Sequence, residues 1–457
     1  MSQGFDPDRQ PQFLGHPVGL FVLFFTEMWE RMSYYGMRAL LVLYMVDHLL
    51  LRPDVGEAVL GFATLRGILE SAYGPLENQA LASQIYGVYT AFVYLTPFFG
   101  GLLADRVLGQ RRSVLIGGSI MALGHFLMAF ENLFLLALIT LIIGNGAFKP
   151  NISTQVGALY KEGDSRRDGA YTIFYMGINL GAFLSPLVCG TLGQTMGWHY
   201  GFGAAGVGMI LGLIVYVFGQ KYLAPDSLAL REASAAPAEP MTSNEWRRVG
   251  ALIVLCGLNV VFWGVYEQQG NTMQLWADDR TWWPTIGSFT IPTTWYQSFN
   301  PAMIFLFAPL LDRLWAWQSG RGNEPSSVTK MAIGCGLLGS AYLIMIGAVS
   351  VVPEDQKANL GWLVATTFVL TIGELYLSPI GLSLVSKVAP PRIVSMMMGM
   401  WFLSSFAGNY LSGFLGMYWE RMPKEAFFMM LSALALTTGL VMFAINKPLR
   451  RATESAN

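Results

Sequence analysis

Charge is scarce in this chain. Asp, Glu, Lys and Arg make up 12% of its 457 residues, against 53% hydrophobic ones, about half the charged share of an ordinary soluble domain. That leaves too little polar surface to coat a water-soluble globule of this length. Cysteine is scarce as well. Cys189, Cys256 and Cys335 all fall inside apolar runs without CxxC or Cys/His spacing, which argues against a disulfide framework or a metal site and leaves them as packing residues. The four histidines, His16, His48, His125 and His199, form no HExxH and no Ser/His/Asp grouping, so an intramembrane enzyme finds poor support. The polar start, with Asp6, Asp8 and Arg9 among prolines, lacks the basic region and short apolar core of a cleaved signal peptide.

What the chain does have is long stretches with no charge at all, among them 79–104, 170–220, 281–311 and 426–446. A helix needs about 20 residues to cross the hydrocarbon. Where a run is too long for one crossing, glycine and charge supply the breaks, as at Gly193 to Tyr200 inside 170–220. Twelve spans result, roughly 17–46, 80–105, 112–130, 133–158, 169–192, 199–222, 248–276, 295–315, 328–351, 360–386, 393–418 and 425–446. The predicted fold class is therefore all-α integral membrane. With the N-terminus inside, 19 basic residues fall in cytoplasmic segments and 6 in external ones. Basic residues are retained on the cytoplasmic side, so both termini are expected there.

One stretch reads as a linker. Residues 223–247 are rich in Ala, Pro, Ser and Glu and divide the spans six and six. The expected organisation is a cytoplasmic N-terminal segment 1–16, a six-helix bundle 17–222, the linker, a second six-helix bundle 248–446 and a cytoplasmic tail 447–457. A faint repeat supports it: span 2 ends in Ala-Asp105-Arg106 and span 8 in Leu-Asp312-Arg313. Two homologous halves with a site between them is a common transporter plan. The first external loop, about 47–79, is longer than the rest and reads as a cap or short surface helix.

Few ionisable residues remain within the spans: Glu27, Glu30, Arg31 and Arg38 in the first, Lys149 in the fourth, Glu267 in the seventh and Glu374 in the tenth. Each costs about 3 kcal/mol at the bilayer centre, so the seven are expected to line one polar cavity. Glu27, Glu30, Arg31, Tyr34 and Arg38 stand at i, i+3, i+4, i+7 and i+11, which is a single helical stripe. The bland alternative is an internal salt bridge that only fixes helix packing. Lys149 precedes Pro150, where the helix has already lost a backbone bond. Charge balances only across the halves, so Arg38 is predicted to pair with Glu267, and Lys149 with Glu374. Such pairs are weak glue, because desolvation offsets much of their attraction, but good switches.

At this point the residues resemble a known family, the proton-coupled oligopeptide transporters of the major facilitator superfamily. Glu27, Glu30 and Arg31 match its ExxER motif, followed by Tyr-Tyr-Gly. The stretch Phe174 to Gly181 resembles its FYxxINxG signature, and Gly100 to Arg112 resembles the superfamily's loop between spans 2 and 3. The likeness runs from about 20 to 420. Departures are that 223–247 has no room for the two extra helices many bacterial relatives insert, 352–359 has none for the external domain of animal ones, and Met32 stands where Phe is commoner.

The resemblance implies a proton-coupled symporter that imports di- and tripeptides by alternating access across the cytoplasmic membrane. Glu27, Glu30, Arg31 and Glu267 would couple protons. Arg38 and Lys149 would receive the peptide carboxylate and Glu374 its amine. Tyr34, Tyr35, Tyr89, Asn179, Asn300, Trp401 and Ser405 would line the cavity, and Asp105 and Arg106 would gate the cytoplasmic side. For the aromatics the competing reading is strong, since with 19 Tyr and 13 Trp any one ring is more often packing or interface belt than ligand. No metal, no cofactor beyond the coupling proton and no nucleic-acid partner is expected, and the chain is expected to act as a monomer in the bilayer. The rival within the class is a major facilitator carrier of another solute.

Overall fold

The computed structural model describes residues 10–161, 164, 166–225, 241–390 and 393–447. The first nine residues, 226–240 of the expected linker and the tail beyond 447 lie outside the described residues. Among the described residues twelve helices reach 18 residues or more: α1 Val18–Asp47, α2 Asn78–Leu103, α3 Gln110–Leu127, α4 Phe134–Ala158, α5 Arg166–Ser185, α6 Trp198–Gly219, α7 Ser243–Tyr266, α8 Phe299–Ser319, α9 Ser327–Val351, α10 Leu360–Val388, α11 Val394–Gly416 and α12 Lys424–Ala444. Each takes up one of the spans read from charge-free runs. Eight, counted with the turns that continue them, are long and apolar enough to cross a membrane by length and composition. The other four are diluted by polar residues. α1 carries Glu27, Glu30, Arg31 and Arg38; α3 opens on Gln-Arg-Arg; α8 contains Asp312 and Arg313; and α11 is rich in Ser and Gly with Asn409.

The chain forms two compact units, Met1–Gly74 with Phe92–Glu232, and Pro75–Ala91 with Ala233–Asn457. In the first, α3 packs on α4 and α6, and α1 on α5 and α6. In the second, α9 packs on α10 and α12, α7 on α11 and α8 on α10. The boundary between the units falls within α2, whose first residues belong to the second.

Helix ends follow local chemistry. Thr242 and Glu245 form a reciprocal capping box at the start of α7, which satisfies two otherwise orphaned N–H groups. Ser326 caps α9 and Asn359 caps α10. α5 runs on through a wide turn at Pro186–Gly190 and a short helix, Thr191–Met196, until Gly197 at φ 127 stops it; the break expected between 193 and 200 falls there. α7 ends in a tight turn, Glu267–Gly270, followed by a helix at Thr272–Asp279. The first loop does hold a short helix, Phe62–Tyr73, and is tied to the α3–α4 connection by Leu60 N–H donating to Asn132 O at 3.0 Å and by His48 Nε2 meeting Glu131 Oε1 at 2.6 Å. In the α4–α5 loop, hydrogen bonds from Arg166 hold the Asp164 carboxyl down to about 2.

Candidate functional site

The stripe predicted on α1 is real. Glu27, Glu30 and Arg31 are almost wholly buried and Arg38 is 8% exposed. The Arg31 guanidinium closes on Glu30 with Nε to Oε2 and with Nη2 to Oε1 at 2.6 Å, while Glu27 Oε1 stands 3.3 Å from Nε. The remaining oxygen of Glu27, Oε2, is buried without a hydrogen-bond partner. Two-point contact between guanidinium and carboxylate is the strong form of this pair, so Glu30 is held firmly and Glu27 loosely. Arg31 also lies over the Tyr34 ring at 5.1 Å and the Tyr35 ring at 5.9 Å, and Arg38 lies over Tyr35 at 5.8 Å. Tyr35 therefore sits within cation–π range of both arginines.

Asn145 on α4, to which sequence reasoning gave no role, ties this group to its neighbours. Its Oδ1 accepts from Arg31 Nη2 at 3.4 Å and its Nδ2 donates to Val93 O on α2 at 2.9 Å. It stands one turn before Lys149 on α4, and that i, i+4 spacing was the available signal. Lys149 Nζ lies 4.6 Å from the centroid of Tyr94.

The signature on α5 has a packing reason. A Cβ on Gly181 would come 2.2 Å from Met28 O and 3.0 Å from Arg31 Cβ, and one on Gly36 would come 2.5 Å from Cys189 Sγ. Only glycine lets α5 and its continuation approach the charged stretch of α1 this closely. Gly181→Ala is expected to destabilise the protein by about 1–3 kcal/mol, read as a lower melting temperature in detergent. Gly203→Ala, with open space at its Cβ, is expected to melt like the wild type. Asn179 from the same signature is 6% exposed and donates to Tyr175 O at 3.0 Å within its own helix. Asp105 and Arg106 stand exposed in a wide turn, Ala104–Leu108, that follows α2.

The second unit gathers a different set. Glu374 Oε2 on α10 accepts from Tyr266 OH at 2.6 Å and from Asn300 Nδ2 at 2.9 Å, and Asn300 Nδ2 also lies 3.0 Å from Thr371 Oγ1. Sequence reasoning gave Tyr266 no role, and its hydroxyl contact was missed. Glu267 is buried at the start of the turn after α7. Trp401 and Ser405 are buried on α11, with the indole against Gly381 of α10. Tyr89 is buried and belongs to the second unit, as do Asn300 and Glu374. Arg38 and Lys149 belong to the first.

Helices of membrane-span length that bury fixed ions and hydrogen-bonded carboxylates define a polytopic membrane carrier. The chain belongs to the POT family: that family's sequence profile matches residues 111–227 and 226–430. It is 34% identical to the peptide transporter YePEPT of Yersinia enterocolitica over 88% of each chain, and 33% identical to a di-/tripeptide transporter of Lactococcus lactis subsp. cremoris over 96% of each. Among solved structures it is similar to a mutant peptide transporter POT in complex with alafosfalin, with a TM-score of 0.83 and 32% identity over 98% of this chain and all of that one. The fold is accordingly that of the major facilitator transporters.

Proposed function

We propose that this chain is a proton-coupled symporter that imports di- and tripeptides across the cytoplasmic membrane by alternating access, with both termini in the cytoplasm and the monomer as the working unit. The observation that carries the reading is the half-buried, hydrogen-bonded Glu374 carboxylate in the second unit, held in a helical membrane protein that also buries the Glu27, Glu30 and Arg31 group in the first. A zwitterionic peptide needs an anion for its amine, cations for its carboxylate and polar groups for its backbone. Glu374 serves the amine. Arg38 and Lys149 serve the carboxylate, and Tyr34, Tyr35, Tyr89, Asn179, Asn300, Trp401 and Ser405 line the path. Glu27, Glu30, Arg31 and Glu267 couple the proton, and Asp105 and Arg106 gate the cytoplasmic side. Protonation of the intramembrane carboxylates shifts the protein between outward-open and inward-open states. The family resemblance and the relatives named as peptide transporters support this assignment.

The test is uptake of labelled di- and tripeptides into proteoliposomes under an imposed pH gradient. Acid outside is expected to drive accumulation, and unlabelled dialanine is expected to compete with it. Uptake of some other solute that dialanine fails to displace would overturn the reading.

A further inference from the structure

We propose that Tyr266 is a positioning residue that fixes one oxygen of Glu374 so that the other is presented to the peptide amine. The inference rests on the amine-receiving role given to Glu374 above and names the residue that sets its geometry. Tyr266 is the last residue of α7 and is 8% exposed. Its ring stacks on Phe262 at 5.8 Å and 15° and meets Trp263 edge-on at 5.2 Å and 85°, so the phenol is locked by its own helix. From there its hydroxyl crosses to α10 and donates to Glu374 Oε2 at 2.6 Å, a length expected of a hydrogen bond to a charged acceptor. Asn300 donates to the same oxygen from α8. Among the described residues no hydrogen bond is made to Oε1 of Glu374.

Two donors from two helices converging on one oxygen leave the carboxylate with a single orientation. The free oxygen then meets an ammonium group without first losing rotamer freedom, and binding is stronger by the ordering already done. Tyr266 never touches the peptide in this scheme. It also immediately precedes Glu267, where α7 tightens into the turn Glu267–Gly270, so any change of that turn reaches Glu374 through the phenol.

Full-length Tyr266→Phe is compared with the wild type in proteoliposomes by the concentration dependence of dialanine uptake and by inhibition with N-acetyl-dialanine, which lacks the ammonium. The variant keeps the ring and loses only the hydroxyl. KM for dialanine is expected to rise about tenfold with the maximal rate held within about twofold, and inhibition by N-acetyl-dialanine is expected to stay unchanged. Added to Glu374→Gln, the same change is expected to raise KM no further, because its effect runs through Glu374. An unchanged KM, or an equal loss for both ligands, overturns the inference while leaving peptide transport standing. Failure of the wild type to take up dialanine overturns the functional reading and the inference with it. Should Tyr266→Phe not reconstitute, binding of dialanine and of N-acetyl-dialanine to the detergent-purified variant decides the matter by the same criterion.

Discussion

Glu27→Gln is expected to abolish proton-driven accumulation of dialanine while leaving peptide counterflow in place. The geometry singles out Glu27 over Glu30. Glu30 meets the Arg31 guanidinium at two points, whereas Glu27 makes a single 3.3 Å contact and leaves Oε2 buried without a partner. A proton arriving at Glu30 would break a two-point ion pair, and one arriving at Glu27 satisfies an oxygen that is otherwise unpaired. Glu27 is therefore the carboxylate at which binding a proton costs the fewest bonds. With one proton moved per peptide, a gradient of one pH unit sustains about tenfold accumulation. The glutamine variant, which can neither take nor release a proton, is expected to stop at equal concentrations on the two sides. Accumulation equal to that of the wild type would remove Glu27 from the coupling path.

Much of this architecture was legible because lipid makes a severe demand. A backbone in hydrocarbon must satisfy itself, so a charge-free run that crosses it does so as a helix. For the same reason the few charges left inside the runs drew attention to the buried Glu27, Glu30 and Arg31 group. The Glu27, Glu30 and Arg31 stripe follows from helical spacing alone, since residues three and four apart share a face. Hydropathy by itself would have found eight spans, because α1, α3, α8 and α11 carry the polar groups. What stayed hidden was set between helices. Asn145 reaches Arg31 from α4, and Tyr266 reaches Glu374 from α7. Neither is decided by the residue's own segment: an asparagine among glycines and a tyrosine among aromatics look like packing until the neighbouring helix is placed. The wide turns at Ala104–Leu108 and Pro186–Gly190 were likewise out of reach, because each shifts the helical register by a single residue.

Arg31→Ala carries the largest expected loss of stability. It removes the only side chain that meets both Glu27 and Glu30 among the ion pairs of the described residues, and it leaves two carboxylates that are 2% and 0% exposed. Stripping a buried ion of its partner typically costs about 3–5 kcal/mol, more than most single substitutions. Replacing all three ions at once is a different matter, because neither carboxylate is then left without its arginine. Glu27→Gln, Glu30→Gln and Arg31→Met together are expected to recover most of the melting temperature that Arg31→Ala loses, yet to show no proton-driven uptake. The described cysteines, Cys189, Cys256 and Cys335, are free and buried, so a thiol-reactive dye reports unfolding directly. Recovered stability without coupling would mean that the ions are kept for transport rather than for the fold. If Arg31→Ala melted with the wild type, the carboxylates would not depend on the arginine, and the coupling argument built on their unequal hold would fail.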